Sequence, residues 1–144
     1  MIRLNNSSNI ENNTILTEQI NMNSIDLDTK STLEIVHLFN DEDKEPQKAV
    51  NKAIPEIVEA IDAITLKLRS QGRLFYLGSG TSGRLGVLDA SECPPTFCTK
   101  SDLVQGIISG GEKALINSSE NLEDLTKLSI SNLKEKNFSS KDVL

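Results

Sequence analysis

The segment Gly78-Ser79-Gly80-Thr81-Ser82-Gly83-Arg84 gathers three glycines, three hydroxyls and a guanidinium into seven residues. It follows a short apolar run, Leu74-Phe75-Tyr76-Leu77, and precedes a helical pattern. A glycine turn in that position leaves backbone N–H groups free at a helix N-terminus, where the helix dipole favours an anion. Hydroxyls beside those amides suit a terminal phosphate, with three oxygens and about two negative charges. The Gly78-x-Gly80-x-x-Gly83 spacing also meets the dinucleotide fingerprint formally. That fingerprint wants an acidic residue at the end of the second strand to hold a ribose. Asp102 precedes that strand and Glu112 follows the double glycine, so neither is well placed. A Walker loop is excluded because no Gly-Lys-Ser/Thr occurs. A tight strand-to-helix turn without a ligand is the remaining reading. Arg84 is suited either to a bidentate phosphate contact or to pairing with Asp89 or Glu92 on its own helix.

Carboxylates form the second chemical set. Asp89 and Glu92 are three apart and share a helical face. Glu92 stands just before Cys93-Pro94-Pro95, at an expected helix end, and would project into the crevice above the strands' carboxyl ends, where ligands sit in open α/β sheets. Glu120, Glu123 and Asp124 form another acidic group. Paired carboxylates in a cleft can do acid–base chemistry when partial burial raises a pKa toward neutrality. Solvated surface charge is the plainer reading of both groups. His37, the single histidine, lies far from the glycine turn and reads as a surface or interface residue rather than part of a Ser-His-Asp site. With Cys93 and Cys98 it makes no metal cluster. The cysteines read as reduced thiols.

The elements that must position these residues follow from composition and periodicity. The chain has 144 residues, 25% charged, 37% hydrophobic and 3% aromatic, which fits one soluble domain with an aliphatic core. Lys plus Arg number 15 against 21 acidic residues, a net charge of −6, the reverse of a nucleic-acid binder. No apolar run is long enough for a membrane span. The opening Met1-Ile2-Arg3-Leu4-Asn5-Asn6 lacks a signal peptide's apolar region, and a cytoplasmic location is expected.

Residues 1–27 are rich in Asn and Ser and read as a flexible arm, or as one that docks on a partner subunit. Residues 28–62 form an N-terminal helical segment. Ser31-Thr32-Leu33-Glu34 is a capping box that opens a helix through Phe39, and Asn40–Lys44 ends it and begins the next. Val50, Ile54, Ile57, Val58, Ile61, Ile64 and Leu68 then mark one buried stripe, kinked or divided at Pro55, with Gly72 as a stop. Residues 63–144 read as strand, glycine turn, helix to about Ser91 broken by Cys93-Pro94-Pro95, a second strand within Leu103–Ser109, a Gly110-Gly111 turn, helical stretches over 112–116 and 122–133, and the onset of a third strand at Lys141. This order predicts an α/β fold, a parallel sheet with flanking helices. Two strands and a stub are too few for such a sheet, so a truncated domain is expected.

The twenty-residue run from Gly78 to Phe97, with its Asp89-Ala90-Ser91-Glu92-Cys93-Pro94-Pro95 core, closely resembles the N-acetylmuramic acid 6-phosphate etherase family. Ser31–Glu34, Asn40–Lys44 and Gly110-Gly111-Glu112 extend the likeness over about Leu16 to Leu144. The resemblance implies the N-terminal part of a sugar isomerase (SIS) domain, a parallel-sheet sandwich that binds phosphosugars. It implies a homodimeric cytoplasmic lyase of cell-wall sugar recycling. That enzyme releases D-lactate from C3 of the sugar to leave N-acetylglucosamine 6-phosphate, with no metal or organic cofactor. It makes Glu92 and Glu123 the catalytic carboxylates. Ser79, Thr81, Ser82 and Gly83 become phosphate or sugar contacts, with Arg84 beside them. Two departures stand out: Ser79 replaces a common Ala, and Glu120-Asn121-Leu122-Glu123-Asp124 replaces Glu-Gly-Ala-Glu-Asp. The family continues for a similar length again, so the 144 residues alone are expected to be inactive. Two alternatives remain. One is a non-catalytic sugar-phosphate-binding regulatory module, since the glucokinase regulatory protein resembles this family and shares the glycine turn. The other is a degenerate truncated product.

Overall fold

A computed structural model describes residues 19–118 and 126–144. The chain divides into two compact units, Met1–Ala53 and Ile54–Leu144.

In the first unit, single 3-10 turns at Met22–Ser24 and Leu27–Thr29 lead into helix α1, Thr32–Glu42. The capping box forms: the Ser31 hydroxyl accepts from the Glu34 amide at 3.4 Å, and the Glu34 carboxylate accepts from the Ser31 amide at 2.8 Å. Those bonds hold the Glu34 carboxyl below its ordinary pKa. The side-chain amides of Asn21 and Asn23 both donate to the Glu42 carboxylate at 2.7 Å, tying part of the asparagine-rich segment to the end of α1. Helix α2, Lys44–Lys52, follows directly.

The second unit begins with α3, Ile54–Arg69. The helical pattern is divided at Ala53, and Pro55 falls in the first turn of α3, where its missing N–H costs nothing. The apolar stripe expected to be buried is open instead. Val50, Ile54, Ile57, Val58 and Ile61 are between 38% and 55% exposed. Periodicity identified the helices correctly, but a stripe is buried only where another element covers it.

Strand β1, Leu74–Gly78, pairs in parallel with β2, Val104–Ile108, in the register Leu74↔Val104 to Gly78↔Ile108. Helix α4, Gly80–Phe97, crosses between them. The short α5, Lys113–Ile116, and α6, Thr126–Glu135, come after β2. The predicted third strand begins on the other side of β1, where Leu74 bridges Val143 in parallel. The Phe75 amide donates to the Val143 carbonyl and the Val143 amide to that of Arg73, both at 2.9 Å. The two strands and this bridge, with their flanking helices, form an incomplete parallel α/β sheet.

The core is small: Phe75, Val104, Ile107, Ile108 and Ala114. Phe75 meets Phe138 edge-on at 5.4 Å between ring centroids, and the Arg73 guanidinium lies 4.9 Å over the Phe75 ring. Arg73 also forks onto buried Asp142, with Nε donating to one carboxylate oxygen at 3.0 Å and a terminal nitrogen to the other at 2.9 Å. This clamp sets the third strand's entry against β1.

Helix α4 differs from expectation at its end. It runs through Pro94 and Pro95 to Phe97, where Cys98 adopts a left-handed conformation, φ 55°. Both prolines fit helical φ. The carbonyls of Ala90 and Ser91 lose their donors, but Ser91 is exposed to water and only the last turn follows, so few bonds are lost.

Candidate functional site

The glycine turn joins the carboxyl end of β1 to the N-terminus of α4. Gly80 has a left-handed φ of 53° with open space beside it. That conformation swings the chain from strand to helix at little steric cost because the residue is glycine. Gly83 serves close approach. A Cβ there would stand 2.6 Å from the Gly78 carbonyl oxygen and 2.7 Å from Ile108 Cγ1. A Cβ on Gly106 of β2 would likewise meet the Val87 backbone at 2.5 Å. Helix α4 therefore lies directly on the sheet. It pairs Gly83 with Gly78 and Gly86 with Tyr76, so it runs antiparallel to β1.

Ser79 is the N-cap of α4 yet makes no side-chain capping bond. The first amides of a helix have no intrahelical acceptor, so this end presents free donors. Thr81 and Ser82 are exposed and Ser79 is half-buried. The structure thus gathers Ser79, Thr81 and Ser82 over a positive helix end, with buried Gly83 beneath, a geometry suited to an anion.

Arg84 is engaged away from this turn. Its Nε donates to the Leu115 carbonyl at 3.1 Å and a terminal nitrogen to that of Asn117 at 3.3 Å, so it ties α4 to the end of α5. Among the described residues it forms no ion pair with Asp89 or Glu92.

Glu92 is exposed, but not in the crevice at the strands' carboxyl ends. Because α4 runs back along the strands, twelve residues of helix place Glu92 about 18 Å from Gly80 along the axis. The expectation put Glu92 at the far end of a helix and still over the crevice, whereas a helix that leaves the turn and runs back along the strands carries its far end away from it. Beneath this part of α4, Tyr76 packs on Gly86, and the Asp89 carboxylate lies near its hydroxyl. Burial, then that carboxylate, pushes the phenol's pKa up to about 12. Burial and Asp89 also push the half-buried Cys93 thiol up. Glu123 lies outside the described residues. His37 is exposed on α1, and no group of three metal-ligating side chains occurs among the described residues. No helix among them is long and apolar enough to cross a membrane.

A second turn, Ser109-Gly110-Gly111-Glu112, stands beside the first. The Ser109 amide donates to the Gly78 carbonyl at 2.9 Å, and Gly110 and Gly111 take φ values of 92° and 67°. The double glycine after a strand is the sequence signal for this turn.

A parallel sheet, a glycine turn on a helix N-terminus and hydroxyls above it define an α/β domain with a turn suited to an anion. The sequence model of the glucokinase regulatory protein N-terminal SIS domain matches residues 56–144, and the chain belongs to that SIS-domain family. It is 68% identical over 130 residues to an N-acetylmuramic acid 6-phosphate etherase of Prochlorococcus marinus, covering 90% of this chain and 42% of that protein. Etherases of Crocosphaera subtropica and Gloeothece citriformis are each 55% identical over 130 residues, 90% of this chain and 43% and 42% of theirs. The chain thus spans less than half the length of these relatives and corresponds to part of them.

Proposed function

We propose that the intact protein is a carbon–oxygen lyase acting on N-acetylmuramic acid 6-phosphate in cytoplasmic cell-wall sugar recycling. The observation that carries the reading is the exposed hydroxyl cluster over the uncapped N-terminus of α4. It lies in a run that likens this chain to proteins named as etherases of that sugar.

In this mechanism the substrate's phosphate sits on the α4 amides with Ser79, Thr81 and Ser82, and Gly83 allows its approach. In the open-chain aldehyde the C2 proton is acidified by the neighbouring carbonyl. Glu92 takes that proton as general base. The C3–O bond breaks, and D-lactate leaves with a proton from Glu123. Water then adds across the unsaturated aldehyde, its oxygen to C3 and a proton to C2, giving N-acetylglucosamine 6-phosphate. The residues invoked need no metal or cofactor. Within one chain Glu92 and the glycine turn lie about 18 Å apart along α4, which favours a homodimer that brings one copy's carboxylate to the other's turn.

The second reading is a non-catalytic phosphosugar sensor, favoured by the match to the glucokinase regulatory protein's SIS domain. Glu92→Gln in the intact protein separates the two. For a lyase, D-lactate release falls by roughly a hundredfold or more while phosphosugar binding persists. For a sensor, wild type binds without release and the substitution changes neither.

A further inference from the structure

Helix α4 has two faces of opposite character. Gly83, Gly86 and Val87 meet the sheet. On the other side Thr81, Leu85, Leu88 and Glu92 recur at helical spacing and form one stripe, and all four are exposed. Leu85 and Leu88, 61% and 57% exposed, give the stripe an apolar middle. Its ends differ in charge. The N-terminal end is the uncapped helix terminus, with no acidic residue in its first turn, and is positive. The other end carries Asp89 and Glu92.

Such a stripe is complementary to itself when turned end for end. A two-fold axis crossing α4 midway between Leu85 and Leu88 sets two copies antiparallel and packs Leu85 on the partner subunit's Leu88. Thr81 precedes Leu85 by four residues and Glu92 follows Leu88 by four, so the same axis sets Glu92 against the partner subunit's Thr81. Each acidic end then lies over the other copy's positive helix end, so the two surfaces are complementary in charge as well as in apolar contact. Packed helices have axes about 8–10 Å apart, against about 18 Å between Glu92 and the glycine turn along one α4. A gap of that width has room for a sugar ring between turn and carboxylate.

We propose that this stripe of α4 is the docking surface for a second copy of the chain, and that each site combines one copy's glycine turn with the other's Glu92. The shared site rests on the proposed lyase reading. The docking surface rests on the stripe alone, and the two are tested by different measurements.

Sedimentation of the intact protein tests the surface. Wild type is expected to sediment as a dimer, and Leu88→Arg to keep its helical circular dichroism while associating roughly a hundredfold more weakly. Leu85→Gln, a milder change to another good helix former, should weaken association in the same direction, and it decides the matter if Leu88→Arg loses helix. A monomeric wild type, or variants that dimerise as tightly as wild type, overturns the proposal. Subunit mixing tests the shared site. Glu92→Gln and Ser82→Asp, whose carboxylate repels a phosphate at the turn, are each expected to release little D-lactate. Co-expressed, they form mixed dimers with one site that has both a native turn and a native Glu92, and activity should return to about a quarter of wild type. No recovery means that turn and carboxylate act within one chain and overturns the proposal. A wild type that dimerises through α4 but releases no D-lactate refutes the lyase reading and supports the docking surface.

Discussion

At the scale of single residues, chemistry was legible where it was concentrated. Ser79, Thr81 and Ser82 could be assigned to one turn because strand, glycines and helix follow in order, and the structure places them together over α4's N-terminus. Arg84 was not legible. Its partners are the carbonyls of Leu115 and Asn117, some thirty residues on, and backbone carbonyls carry no side-chain signature. Gly83 is the most sensitive residue of the turn. In Gly83→Ala the new methyl would press on the Gly78 backbone and on Ile108, so α4 must lift from the sheet. Overpacking of that kind costs roughly 1–3 kcal/mol. Denaturant unfolding should show this loss, with weaker phosphate binding, and an unchanged midpoint would mean that the helix shifts freely.

At the scale of elements, existence was easier to read than extent. β1, β2, α1 and the onset of the third strand were all predicted, since local patterns specify them. The end of α4 was not, because Pro94 and Pro95 are tolerated so near its last turn. That extension, and the antiparallel course of α4, decide where Glu92 stands. The third strand's entry depends on the Arg73–Asp142 clamp. The Arg73 guanidinium, against the opposing effect of burial, and the amides of Ser139 and Arg73 hold the Asp142 carboxyl well below the usual carboxylate range. A group whose folded pKa is depressed stabilises fully above its unfolded value, near 4, and that stability is lost as pH falls toward the folded value. Urea unfolding should therefore show a loss of stability below about pH 4. Asp142→Asn, which leaves Arg73 without its counter-ion, should cost about 3 kcal/mol at neutral pH and flatten the acid-side loss. A substitution without effect at neutral pH would remove the clamp from the account.

At the scale of the whole molecule, the sheet explains both what is present and what is exposed. The match to the SIS domain covers residues 56–144, yet the relatives named as etherases extend well beyond the aligned region. The open apolar positions of α3 and the outward Leu85 and Leu88 of α4, 61% and 57% exposed, are surfaces that a two-strand unit leaves uncovered. Periodicity revealed these faces but not what covers them, because the covering partner lies outside the helix that needs it.

The most direct measurement is D-lactate release by the intact protein supplied with N-acetylmuramic acid 6-phosphate and no added metal. The account predicts stoichiometric formation of D-lactate and N-acetylglucosamine 6-phosphate. Tight binding of the phosphosugar with no lactate released would contradict it.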